Sequence, residues 1–210
     1  MRRDLITGLL AVVVLTLCLG VVYPLAVTGV AQVVFPGKAD GSLVKVDGKV
    51  VGSRLIGQEF KGGAYFHSRP SATEYSGNVT FFGNVGPNSR EARDEVRANL
   101  RAYLARERPY DPELQADGPH RSRYGMSEAD RQAVPVDAVT QSASGVDPHV
   151  SVANARIQAH RVAAVRGLSL ARVEDLIAAN TDGRFLGLLG EPGVNVLELN
   201  LALDKEAPVK

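Results

Sequence analysis

The sequence predicts an α+β architecture: one N-terminal transmembrane helix followed by a single mixed α+β extracytoplasmic domain. Three observations lead there. No Asp, Glu, Lys or Arg occurs between Asp4 and Lys38, and no later apolar run approaches that length. The remainder alternates segments of helical periodicity with short segments of period two. The composition, 210 residues with 24 Lys+Arg against 23 Asp+Glu and a net charge of +1, fits one ordinary domain with a small attachment. It argues against a disordered chain and against a nucleic-acid binder relying on bulk positive charge. A single Cys allows no intrachain disulfide and no Cys-based zinc site.

Leu5 to Phe35, LITGLLAVVVLTLCLGVVYPLAVTGVAQVVF, exceeds the roughly 20 apolar residues with which a helix crosses about 30 Å of hydrocarbon. Residues 1–37 are therefore assigned to a membrane anchor and residues 38–210 to one soluble domain. A secretory signal peptide is the competing reading, since Met-Arg-Arg resembles its charged start. The run is too long for an ordinary signal core, and no small-x-small cleavage site closes it. Arg2 and Arg3, opposed by Lys38 and Lys45 after the helix, favour a cytoplasmic N-terminus and a domain outside the cell or in the periplasm. Within the helix Thr16, Gly20, Pro24 and Thr28 recur every four residues, a spacing of small residues that lets another helix pack closely. These residue types are also simply common in membrane helices. Pro24 is expected to bend the helix, because it lacks the N–H for the preceding turn.

Removing residues 1–37 takes away two Arg and one Asp, and the 22 basic and 22 acidic residues that remain give bulk charge no preferred partner. Asp47-Gly48, between the apolar pairs of SLVKVDGKVVGS, predicts a β-hairpin or two short strands. From Gly62 to Asn88 periodicity vanishes and turn formers accumulate, predicting a long ordered loop of the kind that usually has a role. Ser89 is placed to cap a helix over REARDEVRANLRAYLARER, with Val96, Leu100, Tyr103 and Leu104 on one stripe and Arg93, Arg97 and Arg101 on a solvated one. Arg108 to Gly125, polar with three prolines, is expected to run over the surface. Val134 to Thr140 alternates as a short strand does. Turn-rich QSASGVDPHVS then enters a helix from about Val152 to Arg166, which Gly167 closes in the left-handed region. Ser169 caps a second helix that buries Leu170, Val173, Leu176 and Ile177. Val194 to Leu203, containing NVLELNLAL, reads as a final strand on the solvent-facing side of the sheet.

No Walker loop, Gly-x-Ser-x-Gly elbow or His-Glu-x-x-His motif is present. Asp137, Ser142, Ser144, Asp147 and His149 gather Ser, His and Asp in one segment, so the enzyme reading is an extracytoplasmic hydrolase using Ser144 or Ser142 with His149. Catalytic triads are built by tertiary geometry and rarely by one contiguous loop, and Asp147-Pro148 with Ser151 fits a turn feeding a helix cap. No catalytic residue is assigned. Asp147 and His149 lack companion ligands at a known metal spacing, so no metal site is assigned either. Gln158 and His160 fall inside a helix and are expected to bond locally or face a neighbour. Asn78-Val79-Thr80 fits the glycosylation sequon. YFHSRPSA from Tyr65 sets two aromatics, a His and an Arg beside a stiffening Pro. It reads either as a loop pinned by buried rings or as a docking surface of Tyr65, Phe66, His67 and Arg69, joined by Asp147 and His149. A stand-alone solute-binding or sensor module is a further reading, and would require a ligand bound without any membrane partner.

VVGSRLIGQEF from Val50, YFHSRPSA from Tyr65, GNVGPNS from Gly83, VPVDAVTQSASGVDPHVS from Val134, the Ala-rich helix through Gln158 and Arg161, and EPGVNVLELNLALD from Glu191 carry a resemblance. In these residues, and in their order, the chain resembles the KdpC family, the C subunit of the Kdp potassium-transporting ATPase. Together with the anchor the resemblance covers nearly the whole chain. It departs at Ser76 to Val85, less rich in Ser and Gly than the usual loop, and at Val146 and Val150, where Leu and Ile are more usual.

The resemblance implies a non-catalytic accessory subunit of an ATP-driven, high-affinity potassium uptake complex in a bacterial or archaeal cell (inner) membrane. It implies three partners: a channel-like potassium-binding subunit, a P-type ATPase subunit and a small stabilising subunit, with no nucleic acid. This sequence contains neither an Asp-Lys-Thr-Gly-Thr phosphorylation motif nor a Thr-Val-Gly-Tyr-Gly filter, in keeping with an accessory role. The family is described as a catalytic chaperone that raises the ATPase subunit's affinity for ATP in a transient ternary complex. QSASG resembles the signature loop of ABC-type ATPases, which makes Gln141, Ser142, Ser144 and Gly145 the implied nucleotide contacts. ATP is then shared with the ATPase subunit, not a cofactor of this chain's own. Topology opposes the contact, because an external domain lies on the side without ATP. The alternative role is a domain over the external mouth of the channel-like subunit, stabilising or gating ion entry.

Overall fold

A computed structural model describes residues 2–115 and 134–209. The chain divides into two compact units, Met1–Ser53 and Arg54–Lys210. In the first, α1 (Arg2–Leu17), a π-helical turn (Cys18–Val22) and α2 (Tyr23–Val34) run on as one apolar helix. Its 33 residues measure about 50 Å at 1.5 Å per residue, long enough to cross a membrane. The π turn answers Pro24. Proline cannot donate to the carbonyl four residues back, and just before it the Tyr23 N–H reaches the carbonyl of Cys18, five residues back, widening the turn where the ladder breaks. A single turn, α3 (Pro36–Ala39), leads into β1 (Leu43–Val46) and β2 (Lys49–Ser53). The two strands pair antiparallel through Asp47 and Gly48, whose φ values of 49° and 77° suit a tight hairpin turn.

The second unit is mixed helix and sheet. An irregular segment from Arg54 leads to α4 (Arg90–Glu107), where the Ser89 hydroxyl accepts the Ala92 N–H at 3.0 Å. After α5 (Pro112–Gln115) and a 3₁₀ turn (Val136–Ala138) come β3 (His149–Ser151), α6 (Val152–Arg166), α7 (Leu170–Ala179), β4 (Thr181–Asp182), β5 (Gly193–Asn195) and α8 (Val196–Glu206). The sheet order is β3-β5-β4, all antiparallel, with Val150 opposite Val194 and Thr181 opposite Val194 from the other side. Phe66, Ala155, Ala159, Val162, Val173, Ile177, Val196, Leu199 and Leu203 close one core over this sheet. A second core of Leu100, Tyr103, Leu104, Leu114, Val134, Ala138 and Val139 lies along α4.

The structure corrects three expectations. Val134 to Thr140 is a 3₁₀ turn and not a strand: Pro135 has no N–H for a ladder, the Val139 and Thr140 N–H groups fold back to the Val136 carbonyl, and Val136 is 73% exposed. Val194 to Leu203 is strand only as far as Asn195. There the Asn195 side chain accepts the Glu198 N–H at 3.1 Å and starts α8, which buries Val196, Leu199, Asn200 and Leu203 at helical spacing. The expected surface excursion Arg108 to Gly125 buries Asp111 and Leu114, while its residues 116–125 lie outside the described residues.

Candidate functional site

The site grows from a helix buried on two faces. Ala155, Ala159, Val162 and Ala163 of α6 pack on the apolar core, and their small side chains leave the rest of the helix close to its neighbours. Asn154, Gln158 and Arg161, at i, i+4 and i+7, form a second face that is polar and equally buried. A buried polar group must find partners: Asn154 finds Tyr103 and Asp137, while Gln158 and Arg161 reach the irregular segment Gly63–His67. The Gln158 amide accepts the His67 N–H at 2.8 Å and donates to the His67 carbonyl at 3.0 Å. Asn200 of α8 treats Phe66 identically, with both bonds at 2.9 Å. Two side-chain amides thus replace the strand that would otherwise pair this backbone, and the Phe66 ring fills the core with 0% of its surface exposed.

Arg161 donates to the carbonyls of Gly63 and Tyr65, and its Nε meets Glu107 of α4 at 2.9 Å. Both charged groups are buried, and Arg106 Nε holds the second Glu107 oxygen at 2.6 Å. Arg166 donates to the Ala64 carbonyl at 2.6 Å and to Asp204 at 2.8 Å, and lies 4.8 Å over the Tyr65 ring. Tyr103 of α4 donates its hydroxyl to Asn154, and burial, then Glu107, raises its pKa. The His67 Nε2–H donates to the Gly62 carbonyl at 2.9 Å, since a carbonyl can only accept. Burial first, then Arg106, pushes the His67 pKa down to about 4, so the imidazole is neutral.

The next residues of the same segment are tied to the loop before β3. Arg69 donates to Asp147 at 3.1 Å and to Thr140 and the Gln141 carbonyl at 3.2 Å. The Ser142 N–H reaches the Pro70 carbonyl, and the Gly145 carbonyl accepts from Ser71 at 2.6 Å and Thr73 at 3.1 Å. Gly145 has φ 74°, and a Cβ there would stand 2.7 Å from Thr73 Oγ1, so this crossing requires glycine. Gly57 is equally constrained, its Cβ position lying 2.5 Å from the Asp147 carbonyl oxygen.

These contacts locate the residues singled out from sequence. Of Gln141, Ser142, Ser144 and Gly145, Ser142 is fully buried and its hydroxyl accepts the N–H groups of Gly145 and Asp147. Ser144 bonds Ser142 and accepts the Val146 N–H. His149 Nε2 bonds Asp182 at 3.1 Å, and among the described residues no hydrogen bond joins His149 to either serine. Asp137 accepts from Ser151 and Asn154, serving the start of α6. Phe66 holds the loop from within the core, whereas Tyr65, His67, Arg69, Asp147 and His149 keep partial exposure. Arg69, Asp147 and His149 line a cavity of about 550 Å³ with Glu191, and His67 and Arg69 line another of about 450 Å³ with Asn99 and Arg106. Among the described residues no three His, Cys, Asp or Glu side chains are gathered to share a metal ion. In the membrane-length helix, Thr16 Cγ2 lies 4.0 Å from the Cβ position of Gly20, so the first two members of the Thr16, Gly20, Pro24, Thr28 stripe stack.

Sequence reasoning did not anticipate the roles of Glu107, Arg161, Arg166 and Asn200. The available signal was the i, i+4, i+7 spacing of Asn154, Gln158 and Arg161 on a helix whose apolar residues are mostly Ala and Val.

The comparisons with known proteins are consistent along the chain. The family described as KdpC, K+-transporting ATPase, c chain, matches residues 5–205. A potassium-transporting ATPase KdpC subunit of Koribacter versatilis is 44% identical over 211 aligned positions, covering 100% of this chain and 98% of its own length. The protein of the same name from Rhodospirillum rubrum is 46% identical over 211, covering 100% and 99%. That from Mycobacterium tuberculosis is 44% identical over 207, covering 98% and 100%. A match of this extent, with an apolar helix of membrane length leading a mixed helix-and-sheet unit, means that the chain belongs to the KdpC family.

Proposed function

We propose that this chain is a non-catalytic accessory subunit of an ATP-driven potassium uptake complex, assembled with a channel-like potassium-binding subunit, a P-type ATPase subunit and a small stabilising subunit. The observation that carries this reading is the family match from residue 5 to 205. The chemistry of the domain supports it. Arg161, Glu107, Gln158 and Asn200 are all engaged in holding the Gly63–His67 segment to three helices, an arrangement suited to a rigid surface rather than to a reacting centre. Arg2 and Arg3 favour a cytoplasmic N-terminus and so an external domain; in this reading that domain stands over the external mouth of the channel-like subunit and stabilises or gates ion entry.

A second reading follows the QSASG motif: the chain raises the ATPase subunit's affinity for ATP, with Gln141, Ser142, Ser144 and Gly145 touching the nucleotide. It requires the Ser142 hydroxyl to be shared with, or released from, the Gly145 and Asp147 N–H groups. Steady-state ATPase assays on the complex, with wild-type chain and with Ser144→Ala, separate the two. The external reading expects an unchanged KM for ATP in the variant. The nucleotide reading expects that KM to rise, with potassium affinity unaltered. Loss of the chain without effect on assembly, potassium affinity or ATP affinity would overturn both.

A further inference from the structure

The segment joining β4 to β5 holds the most exposed apolar cluster among the described residues of the second unit. Phe185, Leu186, Leu188 and Leu189 are 68%, 79%, 81% and 63% exposed, and no charged residue lies between Arg184 and Glu191. The segment is a closed tip and not a ragged loop. Phe185 and Leu189 exchange both backbone hydrogen bonds, at 2.8 and 3.0 Å, while the Gly187 N–H reaches the Arg184 carbonyl and the Leu188 N–H the Phe185 carbonyl. At the neck Arg184 grips both oxygens of Glu191, at 3.0 and 2.9 Å. Leu186 sits at φ 53°, a left-handed conformation costly for a branched residue, and no packing explains it because the side chain points into open space.

We propose that this tip enters a lipid surface, seating Phe185, Leu186, Leu188 and Leu189 at the boundary between headgroups and acyl chains. Three features favour lipid over a protein pocket. The tip is convex and offers only apolar side chains, which a fluid accommodates without a matching cavity. Four of its backbone N–H groups, those of Phe185, Gly187, Leu188 and Leu189, are bonded within the loop, which lowers the cost of entering a medium without hydrogen-bond partners. The charges that flank the tip, Arg184 and Glu191, pair with one another, so they can remain at headgroup level. A chain with a helix of membrane length also keeps lipid at high local concentration around the rest of itself.

The test uses the full chain with Cys18→Ser and Leu186→Cys, labelled with an environment-sensitive fluorophore and reconstituted alone in phosphatidylcholine–phosphatidylglycerol vesicles. The expected result is loss of most of the fluorescence when the acyl chains are brominated, with protection from aqueous iodide. Adding Leu188→Asp and Leu189→Asp should release the label to iodide while the apolar helix keeps the chain in the vesicle. A label open to iodide and indifferent to brominated lipid overturns the proposal. So does a label protected only when the partner subunits are present, which would assign the tip to a protein pocket, and so does a label whose depth ignores the two Asp substitutions.

Discussion

Arg161 and Glu107 lose their hydration completely, and the fold recovers that cost only because the Arg161 nitrogens find Glu107, Gln158 and the carbonyls of Gly63 and Tyr65. Removing one partner leaves an uncompensated buried charge. Glu107→Ala should therefore lower the unfolding free energy by about 3–5 kcal/mol, read by denaturant titration of the purified chain in detergent. His67 gives the domain a pH dependence of definite sign. Its folded pKa, about 4, lies below the ordinary value of 6.5, so between these the unfolded chain binds the extra proton. Stability should be full above about 6.5 and fall as pH drops toward 4, and His67→Gln should flatten that slope in the same titration. The pairings of these residues were illegible in the sequence for a physical reason. The Gln158 and Asn200 amides bond backbone groups 91 and 134 residues away, and no local spacing reports such a pairing. The caps Ser89, Ser151 and Ser169 were legible because each bonds an N–H only three residues ahead.

Elements were legible where their ends carry local chemistry. The hairpin turn at Asp47-Gly48, the α6 stop at Gly167 and the α7 start at Ser169 all stand where the sequence expected them. The last helix was misread because Leu197, Leu199 and Leu203 satisfy period two as well as period 3.6; the Asn195-x-x-Glu198 cap was the better guide. Glycines at two junctions separate conformational cost from crowding. Gly167, at φ 68° with open space around its Cβ position, should lose about 1 kcal/mol on substitution by Ala. Gly145 adds to a similar φ a collision with Thr73 and, at 3.2 Å, the Phe81 carbonyl oxygen. Gly145→Ala should cost clearly more than Gly167→Ala in parallel thermal denaturation, and should loosen the 69–75 and 141–147 loops together, read as faster amide exchange in both.

The family match supplies a molecule-scale meaning for this architecture: a membrane-length helix carries a domain whose buried polar groups are spent on fixing two loops. Such a domain offers a preformed surface at little ordering cost, which is what a subunit contributes to an assembly. The alternative of an isolated hydrolase finds Ser142 and Ser144 bonded to their own loop and His149 bonded to Asp182. Ser144→Ala with His149→Ala should accordingly lower assembly only modestly, read by the yield of complex after affinity purification. The most direct test of the central claim is to tag the C-terminus, extract native membranes in mild detergent and identify the co-purifying proteins by mass spectrometry. The account predicts recovery of a P-type ATPase subunit together with a channel-like potassium-binding subunit. Recovery of the chain alone, under conditions that keep other membrane complexes intact, would contradict it.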